Sequence, residues 1–257
     1  MGKNKLAKFA DMETMDFVLQ YPFSVLDRDG FPYRGSWNND FFHNNNPIVI
    51  ELGCGKGEYT VELARQFPDR NFIGIDIKGA RMWTGASQAR AEGLKNVAFV
   101  RTSIELLDRF FATGEVSEIW ITFPDPQMKK QRKRLTSTRF LSLYDSVLTN
   151  GGIINLKTDS PFLYTYTHQL CLANPDAINI VNNVCDVHNR PAGTLPFLDI
   201  KTHYERQWIA RGLAINYIAF KLIAPASTLT EIDDTDIPRD TYRSYSRGTL
   251  ESEGLRT

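Results

Sequence analysis

The stretch Ile48-Val49-Ile50-Glu51-Leu52-Gly53-Cys54-Gly55-Lys56-Gly57-Glu58 constrains the possible fold more than any other part of the chain. An apolar run too short for a typical helix leads directly into three alternate glycines. That is the sequence form of a buried strand entering a tight turn. Glycine serves where φ must be positive, or where a ligand must approach the main chain with no Cβ in the way. Glu58 to Phe67 reads as a helix beginning where the turn ends, so its unpaired N–H groups face the same crevice.

From Ile48 onward the pattern alternates strand and helix, which predicts an α/β fold: a mostly parallel sheet with helices on both faces. Strands are expected at Asn71–Asp76, Val97–Arg101, Glu118–Thr122 and Ile153–Leu156, and helices at Arg81–Glu92, near Leu106–Phe111 and at Phe162–Leu172. The spacing of Phe140, Leu141, Tyr144, Val147 and Leu148 predicts another helix, stopped by Asn150-Gly151-Gly152. Glu205 to Gly212 reads as a polar link before the alternating Leu213–Leu222, the antiparallel C-terminal strand. Three segments follow. Residues 1–46 form an N-terminal arm, with a short helix near Met12–Leu19 and interleaved aromatics, packing on the core or closing over substrate; 47–223 form the main domain; 224–257 form a weakly ordered tail, packed only through Tyr242 and Tyr245.

The 257 residues carry 30 basic and 30 acidic side chains, so any nucleic-acid affinity must come from a local patch. No apolar run reaches membrane-spanning length and no apolar stretch follows the first lysines, so the default compartment is cytoplasmic. Cys54, Cys171 and Cys185 show no paired metal-ligand spacing, and no metal is expected.

The turn is G-x-G-x-G, with Glu58 where a dinucleotide fingerprint would place a further glycine. Glu51 and Glu58 would repel a pyrophosphate, whereas a sulfonium and an ammonium group tolerate acids there. Asp76, at the tip of the second strand, is placed to accept hydrogen bonds from a ribose diol. Together these residues point to S-adenosylmethionine. Phe123-Pro124-Asp125-Pro126 ends the fourth strand at the ligand-binding edge, with prolines limiting the freedom of the acid. Lys129, Lys130, Arg132, Lys133 and Arg134 follow as a phosphate-binding patch at the mouth of the site. Asp159 and Glu205 end segments on the same edge, where carboxylates would accept the N–H donors of a guanine, and Tyr204 or Phe123 could stack a splayed base.

Glu51-x-Gly53-x-Gly55-x-Gly57, Phe123-Pro124-Asp125-Pro126, the Lys-Arg run, Lys157-Thr158-Asp159 and Thr202-x-x-Glu205 together resemble the bacterial tRNA (guanine-N7)-methyltransferase family over roughly Pro47 to Leu222. The resemblance implies a class I methyltransferase, Rossmann-like fold, and methyl transfer to a guanine in the tRNA variable loop. It also implies Glu51 and Asp76 as cofactor acids, Asp125 as the catalytic acid, Lys129 as a substrate contact, and further substrate contacts at Asp159 and Thr202 to Glu205. Gln127 stands where the family usually has Trp, and the basic run is short and lacks its His. The acid often found after the third strand, at the adenine, is replaced near Thr102-Ser103, which become the cofactor-side residues there.

Guanine N7 has a free lone pair, so the expected mechanism is in-line displacement, with Asp125 anchoring the base and offsetting its developing positive charge. Competing readings are methylation of an exocyclic base amine, a protein or a small molecule, or a non-catalytic RNA-binding scaffold, as a monomer or a homodimer. The intact glycine loop argues against a scaffold, and the two acids argue against an NAD-linked dehydrogenase.

Overall fold

The computed structural model describes residues 3–191 and 193–242. The N-terminal segment holds α1 (Lys3–Glu13), β1 (Val18–Gln20) and α2 (Phe23–Asp29). The glycine turn joins β2 (Ile48–Leu52) to α3 (Glu58–Gln66). Next come β3 (Asn71–Ile75), α4 (Gly79–Glu92), β4 (Val97–Arg101), the short α5 (Leu107–Phe110) and β5 (Val116–Thr122). The chain continues through α6 (Thr138–Asp145), β6 (Leu148–Thr158), α7 (Pro161–Ala173), β7 (Ile178–Val184), α8 (His203–Ile209) and β8 (Asn216–Leu222).

The eight strands form one sheet in the order β1-β4-β3-β2-β5-β6-β8-β7. All pairings from β1 through β6 are parallel, and β8 runs antiparallel to both β6 and β7. Ile48, Ile50 and Leu52 face one apolar layer while Val49 faces the other, so every residue of β2 is buried. A central strand covered on both faces reads as a continuous apolar run for this reason. Strand order reverses at β2, with β3 on one side and β5 on the other. Open α/β sheets bind ligands in the crevice outside the carboxyl ends at such a point. The loops after β2 and β5 are the two that flank it.

The arm spends its aromatics on packing. Trp37 is fully buried, stacks on Phe111 at 5.6 Å and donates its indole N–H to the Phe110 carbonyl at 3.0 Å. The Glu115 carboxylate accepts the Gly35 and Trp37 N–H groups, pinning the arm to the turn before β5. Asp11 of α1 binds the Trp83 indole of α4 at 2.6 Å.

Three local expectations change. The first helix ends at Glu13, and Val18–Gln20 pair in parallel with β4 instead of continuing it. Two β-favouring residues ahead of Pro22 gain a ladder at an open sheet edge that a helix would leave unfilled. Leu148 belongs to β6, paired with Val116, so the helix before it stops at Asp145. Glu205 to Ile209 is helical, because Thr202 caps α8 and accepts the Glu205 N–H at 3.1 Å. Past β8, residues through Tyr242 lie on the body of the protein, with Ala226, Ile237 and Tyr242 buried; Tyr245 lies outside the described residues.

Candidate active site

Gly53, Gly55 and Gly57 all have positive φ, at 75°, 56° and 72°. A Cβ at Gly53 would meet nothing within 4 Å, so its backbone is open to the crevice. Gly57 differs: a Cβ there would lie 2.6 Å from the Phe99 ring. On α4, a Cβ at Gly85 would come within 2.7 Å of the Lys56 carbonyl, which accepts the Gly85 N–H. Gly85 therefore lets α4 support the turn from behind, a role carried by no local sequence pattern.

Asp76 organises the same loop. One carboxylate oxygen accepts the Gly55 N–H at 2.9 Å and the other the Lys78 N–H at 2.7 Å. Glu51 lies beneath the turn and does not line the cavity; it is 3% exposed. Its carboxylate accepts the Thr60 N–H at 2.9 Å, the Thr60 hydroxyl, and the Thr122 hydroxyl at 2.5 Å. Burial, the dominant cause, lifts its pKa to about 7, outweighing these donors. Glu51 thus ties the ends of β2 and β5 to the first turn of α3, beneath the cavity where a cofactor contact is expected of it. Glu58 accepts the His203 N–H at 2.9 Å, joining the start of α3 to that of α8.

A cavity of about 490 Å3 opens over this loop, lined by Gly53, Asp76, Thr102, Ser103, Phe123 and Asp125, with Lys78, Arg81, Glu105 and Lys133 among its other walls. The size suits a cofactor. Glu105 was missed in the sequence: it sits three residues beyond Thr102 and accepts the Ser103 hydroxyl, restoring an acid near the end of β4. The signal was present as an acid in the next turn rather than at the strand tip. The wall carries Asp76, Glu105 and Asp125 against Lys78, Arg81 and Lys133. Charge alone therefore suits a zwitterionic ligand without excluding a pyrophosphate.

Asp125 is exposed between buried Pro124 and Pro126, and its carboxylate accepts the Gln127 N–H at 3.1 Å. Phe123 and Gln127 both adopt positive φ, at 49° and 48°. Left-handed backbone at two non-glycine residues is a strain that surrounding structure must hold, and it clusters at functional sites. A second groove of about 750 Å3 is lined by Asp125, Gln127, Lys129, Lys130 and Arg134, with Asp234, Arg239 and Asp240 on its far wall. Asp125 and Gln127 border both spaces.

The basic run divides. Lys129, Lys130, Arg132 and Lys133 are exposed, and Lys133 turns toward the cofactor-sized cavity. Arg134 is 1% exposed, pairs with Asp234 at 2.5 Å, and lies over the Phe162 and Tyr166 rings at 4.7 and 4.4 Å. Arg134, expected to meet RNA phosphate, is held here by Asp234 and the two rings while it also lines the lysine-walled groove. Asp159 and Glu205 are fully buried and, with Thr202 and Tyr204, line neither space. The Lys157 ammonium binds Glu205 at 2.9 Å and the Leu198 and Ile200 carbonyls at 3.1 and 2.8 Å. His188 reaches the other side of Glu205 at 3.1 Å. Burial draws Lys157 down to about 8 despite the neighbouring carboxylate. Thr202 and Glu205 anchor α8 and border neither of the two spaces, where substrate contacts are expected of them. Tyr204 is partly exposed, edge-on to His203 at 5.7 Å.

A family model described as "Putative methyltransferase" matches residues 45–217. A protein of Porphyromonas gingivalis named tRNA (guanine-N(7)-)-methyltransferase is 60% identical over 238 residues, covering 92% of this chain and 96% of the relative. The chain belongs to the tRNA (guanine-N7-)-methyltransferase family. A Bacteroides fragilis member of that name is 53% identical over 257 residues, covering 100% of this chain and 99% of the relative. Among solved structures, the 16S rRNA methyltransferase KamB aligns with TM-score 0.55 at 16% identity, over 72% of this chain and 91% of that one. That likeness bears on the fold, which is the class I methyltransferase architecture. Among the described residues no helix is long and apolar enough to cross a membrane.

Proposed function

We propose that this chain methylates N7 of a guanine in the variable loop of tRNA, in the cytoplasm, using S-adenosylmethionine. The observation that carries the reading is the shared border: Asp125 and Gln127 separate a cofactor-sized cavity from a groove walled by Lys129 and Lys130. When bound, S-adenosylmethionine supplies an electrophilic methyl group. Asp76 accepts from a ribose diol, the open backbone at Gly53 and Gly55 admits the donor's close approach, and Thr102, Ser103 and Glu105 face its base. Glu51 shapes this pocket from below.

Among the described residues, Asp125 is the one acid common to both spaces. Held by flanking prolines, it anchors the guanine and offsets the positive charge that moves onto the purine during transfer. N7 needs no deprotonation, so alignment and electrostatics carry the rate enhancement. Lys129 and Lys130 take phosphates at the groove, with Arg132 and Lys133 on the adjoining surface. Asp159 offers a carboxylate for guanine N–H groups at the end of β6, and Tyr204 a ring beside the start of α8. The test is incubation with tRNA lacking the modification and methyl-labelled donor, then nuclease digestion. Label in 7-methylguanosine is expected; label in an exocyclic-amine nucleoside, in protein, or nowhere would refute the reading.

A further inference from the structure

The segment Glu231–Tyr242 is laid against the residues just proposed to receive the acceptor base. The Tyr242 hydroxyl donates to a carboxylate oxygen of Asp159 at 2.6 Å, and its ring meets Trp208 edge-on at 5.5 Å. Asp240 accepts the Ser160 hydroxyl at 2.5 Å and the Phe162 N–H at 3.1 Å, at the start of α7. Asp234 holds Arg134 at 2.5 Å and Arg239 at 2.8 Å. Gln131, inside the basic run, donates to the Ile232 carbonyl at 2.7 Å.

These contacts resemble an RNA ligand in kind. A phenolic O–H presents to Asp159 the donor that a guanine N–H would present. Glu231, Asp233, Asp234, Asp236 and Asp240 give the segment five carboxylates against the single cation Arg239, and three of its residues form the far wall of the lysine-lined groove. Asp159 cannot serve both Tyr242 and a base, since it is fully buried with Tyr242 in place.

We propose that residues 231–242 are a specificity strap: Tyr242 occupies the acceptor-base subsite at Asp159, and only an acceptor carrying phosphates to the basic run displaces it. The proposal rests on the guanine-N7 reading above. A free nucleotide brings one phosphate and gains little by displacing the strap. A folded tRNA brings many, and their contacts with the basic run offset the Tyr242–Asp159 bond together with the Asp240, Asp234 and Ile232 contacts that go with it. Tyr242 therefore weakens every acceptor by the same factor, and the phosphate contacts at the basic run are what carry tRNA past that threshold, without Tyr242 touching the reacting atoms.

Tyr242→Phe keeps the ring on Trp208 and removes only the hydroxyl. The KM for unmodified tRNA is expected to fall about tenfold, the effect of losing one competing hydrogen bond to a charged group, with kcat unchanged. Methylation of guanosine 5′-monophosphate should rise by a similar factor. An unchanged or higher KM for tRNA would overturn the strap and make Tyr242 a fixed pocket wall. Hydrogen exchange on the full wild-type chain gives an independent reading: amides of 231–242 should exchange faster when tRNA is added, and protection or no change refutes displacement. A wild-type chain that binds tRNA without forming 7-methylguanosine sinks the proposed function alone, while the exchange result still decides the strap.

Discussion

Replacing Glu51 with Gln tests how the glycine turn is supported. Its carboxylate is fully buried, and burial raises the pKa from 4.5 to about 7. The folded state thus binds this proton more tightly than the unfolded chain does. The associated stability is complete below about pH 4.5 and is lost as pH rises through about 7. At about 1.4 kcal/mol per tenfold change in proton affinity, the full loss on ionisation is about 3.5 kcal/mol. Glutamine preserves the local bonds: its carbonyl can take the two Thr60 donors, and its amide can donate to the Thr122 hydroxyl in place of accepting from it. Urea unfolding of both proteins between pH 5 and 9 is the assay. The wild type should lose about 2–3 kcal/mol relative to Glu51→Gln across this range, most of it between pH 5 and 8. Thermal midpoints should separate by about 2–4 °C for each kcal/mol. Stability curves that stay parallel to within about 0.5 kcal/mol would refute the assignment of a buried, titrating Glu51.

Asp125→Ala should lower kcat for tRNA roughly 10²-fold with tRNA still bound, as measured by single-turnover methylation and filter binding, and near-normal turnover would remove Asp125 from the mechanism. Changing Lys129 and Lys130 together to Ala should reduce the salt dependence of tRNA affinity, the slope of log K against log salt falling by roughly 0.7–0.9 for each lysine; an unchanged slope would show that neither meets phosphate. Lys157→Met leaves the buried Glu205 carboxylate without its ammonium partner, with His188 still beside it, and should destabilise the protein by about 3 kcal/mol in urea, whereas the added change Glu205→Leu should recover most of that loss. A single variant as stable as wild type would mean that the pair carries no such role.

The main domain was readable where chemistry acts locally. Continuous apolar runs marked β2, β3 and β4 because both faces of the sheet are covered, and the three glycines marked the turn because each requires positive φ. The strand pattern places Asp76 and Asp125 at strand ends, and both line the cavity. Thr202-x-x-Glu205 was harder, since the same spacing serves as a helix cap and as a site motif. The cap is what forms, with the Glu205 carboxylate turned to Lys157, 48 residues away.

The sequence by itself determined the strand–turn–helix unit, the parallel sheet and the chemistry available at its carboxyl edge, because backbone sterics and side-chain period operate over a few residues. The tertiary structure alone decided which charges remain free to act. Arg134 reads as one more cation in a run until Asp234, 100 residues on, closes over it, and Asp159 reads as an open acid until Tyr242, 83 residues on, covers it. Burial and pairing depend on what the rest of the chain brings to a position, and a short stretch of sequence carries no record of that.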